Sequence, residues 1–535
     1  MVIIMNTVRQ IQEGKTSIGI ELGSTRIKAV LIGEDYSPIA SGAYDWENRL
    51  EQGIWTYSLD EVWQGMQSCF KNLTGNVYEK YGVYLETTAS IGISAMMHGY
   101  LAFDKNDKLL VPFRTWRNTI TEQAAAVLTD TFKFNIPQRW SIAHLYQAIL
   151  NNEPHVSQLN FFTTLAGYVH WQLTGEKVLG IGDASGMFPI DAKTKEYNSC
   201  MIEKFTELTK DRCFDWELSA VLPKIVAVGE CAGKLTEHGA RLLDPTGRLK
   251  AGICFCPPEG DAETGMVATN SIAPKTGNVS AGTSIFAMAV LEHDLSSVHK
   301  EIDIVATPCG SPVAMVHCNN CTTDLDTWVH MFGGMLKAFG LDVPKPQLYD
   351  KLYEAALSGK ADCGGVLTYN YHSGEHVTDL TEGRPLLVRM PESEFNLANL
   401  MRSLIYSCMA TLKIGMDILL KQENVVLEKM LAHGGLFKSP ITGQRFLAAA
   451  LEVPVALMES AGEGGAWGIA LLAAYQARED KSEQLTDYLN NRVFANFTGS
   501  CLSPVKADVD GFMTFMENFK AGLAIEKCAA SLNLK

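Results

Sequence analysis

Ser17 to Leu22 (SIGIEL) is a short run of β-branched and aliphatic residues, the pattern of a strand. Gly23, Ser24, Thr25 and Arg26 follow, and then a second such run, Ile27 to Ile32 (IKAVLI). The order is strand, glycine turn, strand. A P-loop or a dinucleotide fingerprint would place a helix directly after the glycines, and the GxxxxGK[ST] spacing is absent. A similar piece recurs at Gly277 to Val290 (GNVSAGTSIFAMAV), where Gly282, Thr283 and Ser284 lie between two apolar runs. Nearly half the chain separates the two turn glycines, as expected of a duplicated domain in which each copy offers one hairpin to a shared cleft. Elsewhere the pattern is α/β. Val62, Met66, Phe70 and Leu73 keep helical spacing, and Ala89 to Ala95 (ASIGISA) predicts a strand. A long apolar helix is expected from Asn399 to Lys421. A strand from Glu428 to Ala432 should then enter His433, Gly434 and Gly435, with a further helix from Gly465 to Arg478.

A chain of 535 residues is too long for one compact core. Its expected division is 17–272, 273–480, and a helical tail, 481–535, packed on one domain. Hydrophobic residues make up 47% and charged residues 20%, which is ordinary globular composition. Acidic residues number 60 against 45 basic ones, a net charge of -15 with no long basic run, so nucleic acid is not an expected partner. ATP is not excluded, because backbone amides and magnesium bind phosphate whatever the net charge. The 13 cysteines are scattered, which suits a reducing compartment. Cys254 with Cys256, and Cys318 with Cys321, are the close spacings; a single CxxC does not make a zinc site, and no metal–cysteine site is assigned. The first sixteen residues lack a basic n-region and a sustained apolar core, and no apolar run elsewhere nears a membrane span. The expectation is a cytoplasmic protein without a membrane partner. A homodimer is compatible with the sequence and is not specified by it.

Phosphoryl transfer needs donors for the β- and γ-phosphates, a magnesium ion and a base aimed at the acceptor hydroxyl. Gly23 and Gly282 lack Cβ atoms and would let backbone N–H groups approach phosphate oxygens, with the hydroxyls of Ser24, Thr25, Thr283 and Ser284 as further donors. Either turn alone could be an ordinary hairpin; the pair favours the functional assignment.

Several motifs, in order, resemble the FGGY family of carbohydrate kinases: IGIELGSTRIKAVL, GISAMMHGYLAFD, GDASGMFPID, EGDAETGMVA, VSAGTSIFA, and HGGLFKSPITGQRFLAAALEVPV ending in EGGAWGIALLA. The resemblance covers about residues 17 to 476. It implies a two-domain α/β fold of the actin, hexokinase and Hsp70 ATPase type with an interdomain cleft. It implies ATP and Mg2+ as cofactors and a small-molecule sugar as substrate. Asp261 falls on the family's general base, just ahead of the second hairpin. Met97, His98 and Gly99 resemble the segment that xylulokinases turn toward the sugar, where Asp261 also contributes. Gly434 and Gly435 resemble the adenosine-side glycines, with Ser439 near them. The usual Asp of the first motif is Glu21, one methylene longer, expected to act on magnesium. Other departures fall around the sugar: Ala262 where an Asn is usual, TWRNT at Thr115 to Thr119 without the expected Asp, and GEHVT at Gly374 to Thr378 in place of GERTP. Ala262, Asn118 and His376 are thus the positions expected to sort the sugar's hydroxyls. The implied activity is ATP-dependent phosphorylation of a ketopentose, xylulokinase-like, with L-ribulokinase as the close alternative. An Hsp70-like ATPase module and an inactive sugar sensor are the rivals from other classes; the first would normally come with a separate peptide-binding domain, whereas a short tail follows residue 480, and the second predicts a lost base, whereas Asp261 is present.

Overall fold

Apolar side chains on both faces of Ser17–Leu22 and Arg26–Ile32 place this hairpin inside a core. Ile18, Ile20, Leu22, Ile27, Ala29 and Leu31 are all buried. In the computed structural model, which describes residues 2–439, 441–457, 464–496 and 499–532, the two strands pair antiparallel, from Ser17 opposite Ile32 to Leu22 opposite Ile27. Pro38–Asp45 continues the sheet antiparallel on one side, and Ser90–Ala95 lies parallel to Ser17–Leu22 on the other. The short strands Cys254–Phe255 and Glu259–Gly260 extend Ser90–Ala95 in parallel. Three parallel strands therefore finish at one edge, at Leu22, Ala95 and Gly260.

The described residues divide into two compact units, one formed by 2–272, 304–313 and 464–496, the other by 273–303, 314–457 and 499–532. In the first, the helix Leu59–Tyr81 carries the expected stripe, with Val62, Met66, Phe70 and Leu73 buried together with Cys69 and Val77. Each such side chain contributes about 1.5–3 kcal/mol when fully buried. Ser58 caps the helix start by accepting the Asp60 N–H, and Gly82, at φ 69°, ends it. The helix Gly464–Ala477 also belongs to this unit, although the sequence assigned it to 273–480. It lies so close to the helix Asp261–Ala268 that a Cβ on Gly468 would come within 1.9 Å of the Thr264 carbonyl oxygen.

In the second unit, Thr276–Ala281 and Ile285–Val290 form the second hairpin. Lys429–Gly434 pairs parallel to Thr276–Ala281, and Val455–Leu457 parallel to Lys429–Gly434. Contrary to the expectation that no segment nears a membrane span, the helix Leu397–Asp417 with the turn Ile418–Gln422 is long and apolar enough to cross a membrane, but 83% of its apolar window is buried inside the protein, so it serves as a core helix. Its buried Arg402 is paired with Asp508 of the helix Lys506–Ser531, which compensates the charge. The tail does not rest on one domain: 481–496 groups with the first unit and 499–532 with the second.

Candidate active site

The chain's candidate chemistry in the first unit gathers where its three parallel strands end, the edge at which open α/β sheets place their ligands. Glu21 sits one residue before the end of its strand, Met97 to Gly99 follow Ala95, and Asp261 follows Gly260. Asp261 opens the helix Asp261–Ala268, and its Oδ1 accepts the Met97 N–H at 3.2 Å. The Glu21 Oε2 accepts the Ala466 N–H at 3.2 Å, at the start of the helix Gly464–Ala477. The structure thus brings Glu21, Met97, His98 and Asp261 together from segments far apart in sequence.

Five carboxyls crowd this edge, and they do not ionise equally. Asp261 is pushed up to about 6 by burial, while the N–H groups of Met97 and Ala262 favour its charged form. Its place in the first turn of a helix acts in the same sense. Glu21 is raised to about 7 by burial and then by the charge of Asp261, against Lys28 and the Ala466 N–H. Asp183 is raised to about 7 by burial, although Thr164 donates to its Oδ2 at 2.6 Å. Glu259 and Glu263, fully buried beside these acids, are held well above the usual carboxylate range by burial and by their neighbours. Burial thus raises all five carboxyls, and at Asp261 the Met97 and Ala262 N–H groups oppose that rise. Asp183, Glu259 and Glu263 received no assignment from the sequence, although Asp183 stands in the GDASG motif and Glu259 and Glu263 flank Asp261 within five residues.

His98 is buried and its Nδ1 lies 3.1 Å from the Gly186 carbonyl oxygen. Burial, then the charge of Arg139, lowers it to about 3, so the ring is neutral at pH 7. An Nδ1–H donated to that carbonyl leaves Nε2 as an acceptor for a hydroxyl proton. Gly99 has φ 85°, and a Cβ there would meet Phe113 and the Arg114 carbonyl below 3 Å, so no larger residue fits. Asn118 is spent inside the protein: its Oδ1 accepts the Trp55 N–H and its Nδ2 donates to the Trp55 carbonyl, both at 2.8 Å. It holds the backbone of Trp55. His376 lies in the second unit with an exposed side chain beside the buried Glu375.

At the first hairpin, Gly23, Ser24 and Thr25 form the turn, and a hollow of about 730 Å³ opens beside it, lined by Thr25, Arg26, Lys28, Asp45, Trp46 and Glu47. In the second unit, Gly282, Thr283 and Ser284 form the other turn, closed by the Gly282 N–H donating to the Ser284 carbonyl at 2.9 Å. Gly434 lies beside its base with φ 110°; a Cβ would sit 2.2 Å from the Ala281 carbonyl oxygen, so only glycine allows this approach. Gly435 follows it into a short turn, Gly435–Phe437. Ser439 differs from expectation. It is buried and its hydroxyl donates to Asp350 Oδ1 at 2.8 Å, so this side chain is engaged within the protein rather than free for a nucleotide.

The model of the N-terminal domain of the FGGY family of carbohydrate kinases matches residues 16–261, and that of the C-terminal domain matches residues 277–477. A xylulose kinase of Haemophilus influenzae is 22% identical over 486 residues, covering 88% of this chain and 92% of its own. Among solved structures, a ligand-bound xylulose kinase from Lactobacillus acidophilus superposes with a TM-score of 0.77 at 16% identity, covering 96% of this chain and 99% of that one. A Plasmodium falciparum glycerol kinase with ADP superposes with a TM-score of 0.74 at 14% identity, covering 97% and 99%. These structural likenesses establish the fold.

Proposed function

We propose, from the premise that this chain belongs to the FGGY family of carbohydrate kinases, that it transfers the terminal phosphate of ATP to a hydroxyl of a five-carbon ketose. The observation that carries the assignment is the Met97 N–H bond to Asp261, which sets this carboxyl against the Met97–Gly99 segment. Asp261 takes the proton of the attacking hydroxyl as the new O–P bond forms. The His98 Nε2 accepts from another hydroxyl and so orients the sugar. The turns at Gly23 to Thr25 and Gly282 to Ser284 hold the phosphates through backbone N–H groups and hydroxyls, with Gly434 and Gly435 on the adenosine side.

The acids at the strand edge suit magnesium. No group of three metal-ligating side chains is found among the described residues, yet Mg2+ is commonly held by one or two carboxylates, waters and the substrate's own phosphates. Glu21 is the residue we assign to it, because Glu21 and Asp261 repel each other and a cation offsets that repulsion. Bound there, it would neutralise charge on the β- and γ-phosphates. Glu21→Gln should then raise the magnesium concentration needed for half-maximal rate and lower kcat, with the ketose KM little changed. A large rise in ketose KM at saturating magnesium would argue for a sugar role instead.

The likeness to a protein named xylulose kinase supports xylulose as the leading substrate, with L-ribulose as the close alternative. ADP release measured with D-xylulose, L-ribulose, hexuloses and glycerol, each against a no-sugar control, tests the assignment. A site built around buried polar groups such as His98 discriminates against misplaced hydroxyls by ~1–3 kcal/mol each. Two misplaced contacts lower kcat/KM by on the order of 30-fold to 10⁴-fold. A kcat/KM for glycerol above that for both pentuloses would overturn the ketopentose assignment.

A further inference from the structure

The first hairpin is held at its tip by side chains that donate to its backbone. Trp46 Nε1 donates to the Gly23 carbonyl at 2.7 Å, and the Tyr57 hydroxyl donates to the Ser24 carbonyl at 2.6 Å. The Trp46 backbone N–H adds a bond to the Thr25 carbonyl at 3.1 Å. The two rings stack on each other with centroids 4.3 Å apart. Tyr57 is itself positioned through a chain of donors: Arg117 donates to Asn48 Oδ1 at 2.8 Å, and Asn48 Nδ2 to the Tyr57 hydroxyl at 3.4 Å. Trp116 Nε1 donates to the Ser24 Oγ at 3.2 Å, which leaves the Ser24 hydroxyl proton free to be given elsewhere.

A trans peptide points each carbonyl opposite to the next residue's N–H. With the Gly23 and Ser24 carbonyls drawn toward Trp46 and Tyr57, the N–H groups of Ser24 and Thr25 face the other way, and neither donates to a protein acceptor among the described residues. The second hairpin repeats the device with other chemistry. The Gly282 carbonyl accepts the Thr322 N–H at 3.1 Å and the Thr322 hydroxyl at 2.9 Å, and the Thr283 carbonyl accepts the Cys321 N–H at 2.9 Å. The N–H groups of Thr283 and Ser284 are turned out in the same way. Two turns at equivalent positions, tied by unrelated residues in the same sense, point to a requirement on amide direction.

We propose that Trp46 and Tyr57 are positioning residues for phosphoryl transfer, fixing the Ser24 and Thr25 amides toward the phosphates of ATP. This rests on the hairpins being the phosphate sites. A clamp acting only on amide direction affects ligands that carry the terminal phosphates and leaves adenosine and the sugar alone. Tyr57→Phe deletes only its donor, and Trp46→Phe deletes its donor and part of the ring while keeping an aromatic face toward Tyr57.

The test is calorimetric binding of ATP and of adenosine to the full-length wild type and both variants, together with kcat and both KM values. Each variant should weaken ATP about fivefold to tenfold, raise the ATP KM and lower kcat. Adenosine affinity and ketose KM should stay within about twofold of wild type. Equal weakening of ATP, adenosine and ketose would show a merely structural role and overturn the proposal. Wild-type preference for ATP over adenosine, kept undiminished by both variants, would overturn the clamp while leaving the phosphate sites standing. A wild type that binds adenosine as tightly as ATP would overturn the phosphate sites and the clamp with them.

Discussion

Asp261→Asn lowers the turnover of sugar phosphorylation by at least ~10²-fold while ATP still binds, because general-base assistance is worth typically 10²–10⁴-fold. The fold should tolerate the change. Asparagine keeps an oxygen that can accept the Met97 N–H, and it removes a carboxylate whose ionisation the folded state resists. The sign follows from the raised value. An acid whose folded pKa is about 6, against 3.8 when free, destabilises the fold by a penalty that is absent below about pH 3.8 and fully developed above about 6. The variant should therefore melt no lower than wild type at pH 7. The same value sets the pH profile. Only the ionised carboxyl accepts the hydroxyl proton, so wild-type kcat/KM should fall about tenfold per unit below pH 6, and this limb should vanish from the residual activity of the variant. Turnover near the wild-type level in Asp261→Asn, by coupled ADP release, would remove Asp261 from the role of base.

Both hairpins were legible in the sequence because their signal is local. A glycine between two runs of alternating small and branched apolar residues can be read from a dozen positions, and Ser17–Leu22 falls where that pattern sets it. The helix Leu59–Tyr81 was legible for the same reason. The grouping of the carboxyls was not, since it depends on the register of three parallel strands that end at Leu22, Ala95 and Gly260, and nothing local in the chain fixes that register. The resemblance supplied Asp261, but nothing local in the sequence marks Glu259 and Glu263 beside it as buried. The bond of Ser439 to Asp350 was not legible because the two are remote in sequence. The same holds for the bonds of Asn118 to the backbone of Trp55. Trp46 and Tyr57 were passed over because a buried aromatic residue is ordinarily core, and only their donated hydrogen bonds set them apart. That the helix Gly464–Ala477 packs with the first unit was not legible because it is apolar nearly all round and carries no stripe to show which sheet it covers.

Gly282→Val should weaken ATP by about tenfold to 100-fold and leave the ketose within about twofold. The substitution separates ligand from fold because of where Gly282 lies. A Cβ built on it meets no protein atom within 4 Å, and its φ is not in the left-handed region, so valine fits without displacing its surroundings. The branched side chain would instead occupy the space over the turn through which the Thr283 and Ser284 N–H groups reach a phosphate. Hydrogen bonds to a charged group are worth about 1.5–3 kcal/mol each, and losing one or two of them gives a change of that order. Gly434 supplies the contrast. At φ 110° and 2.2 Å from the Ala281 carbonyl oxygen, a Cβ there distorts the strand pairing itself, so Gly434→Ala should lower the melting temperature as well as ATP affinity. Titration calorimetry with ATP and with the ketose, alongside thermal melts, distinguishes the two variants. Equal losses of ATP and ketose in Gly282→Val, at an unchanged melting temperature, would place the phosphates away from this turn.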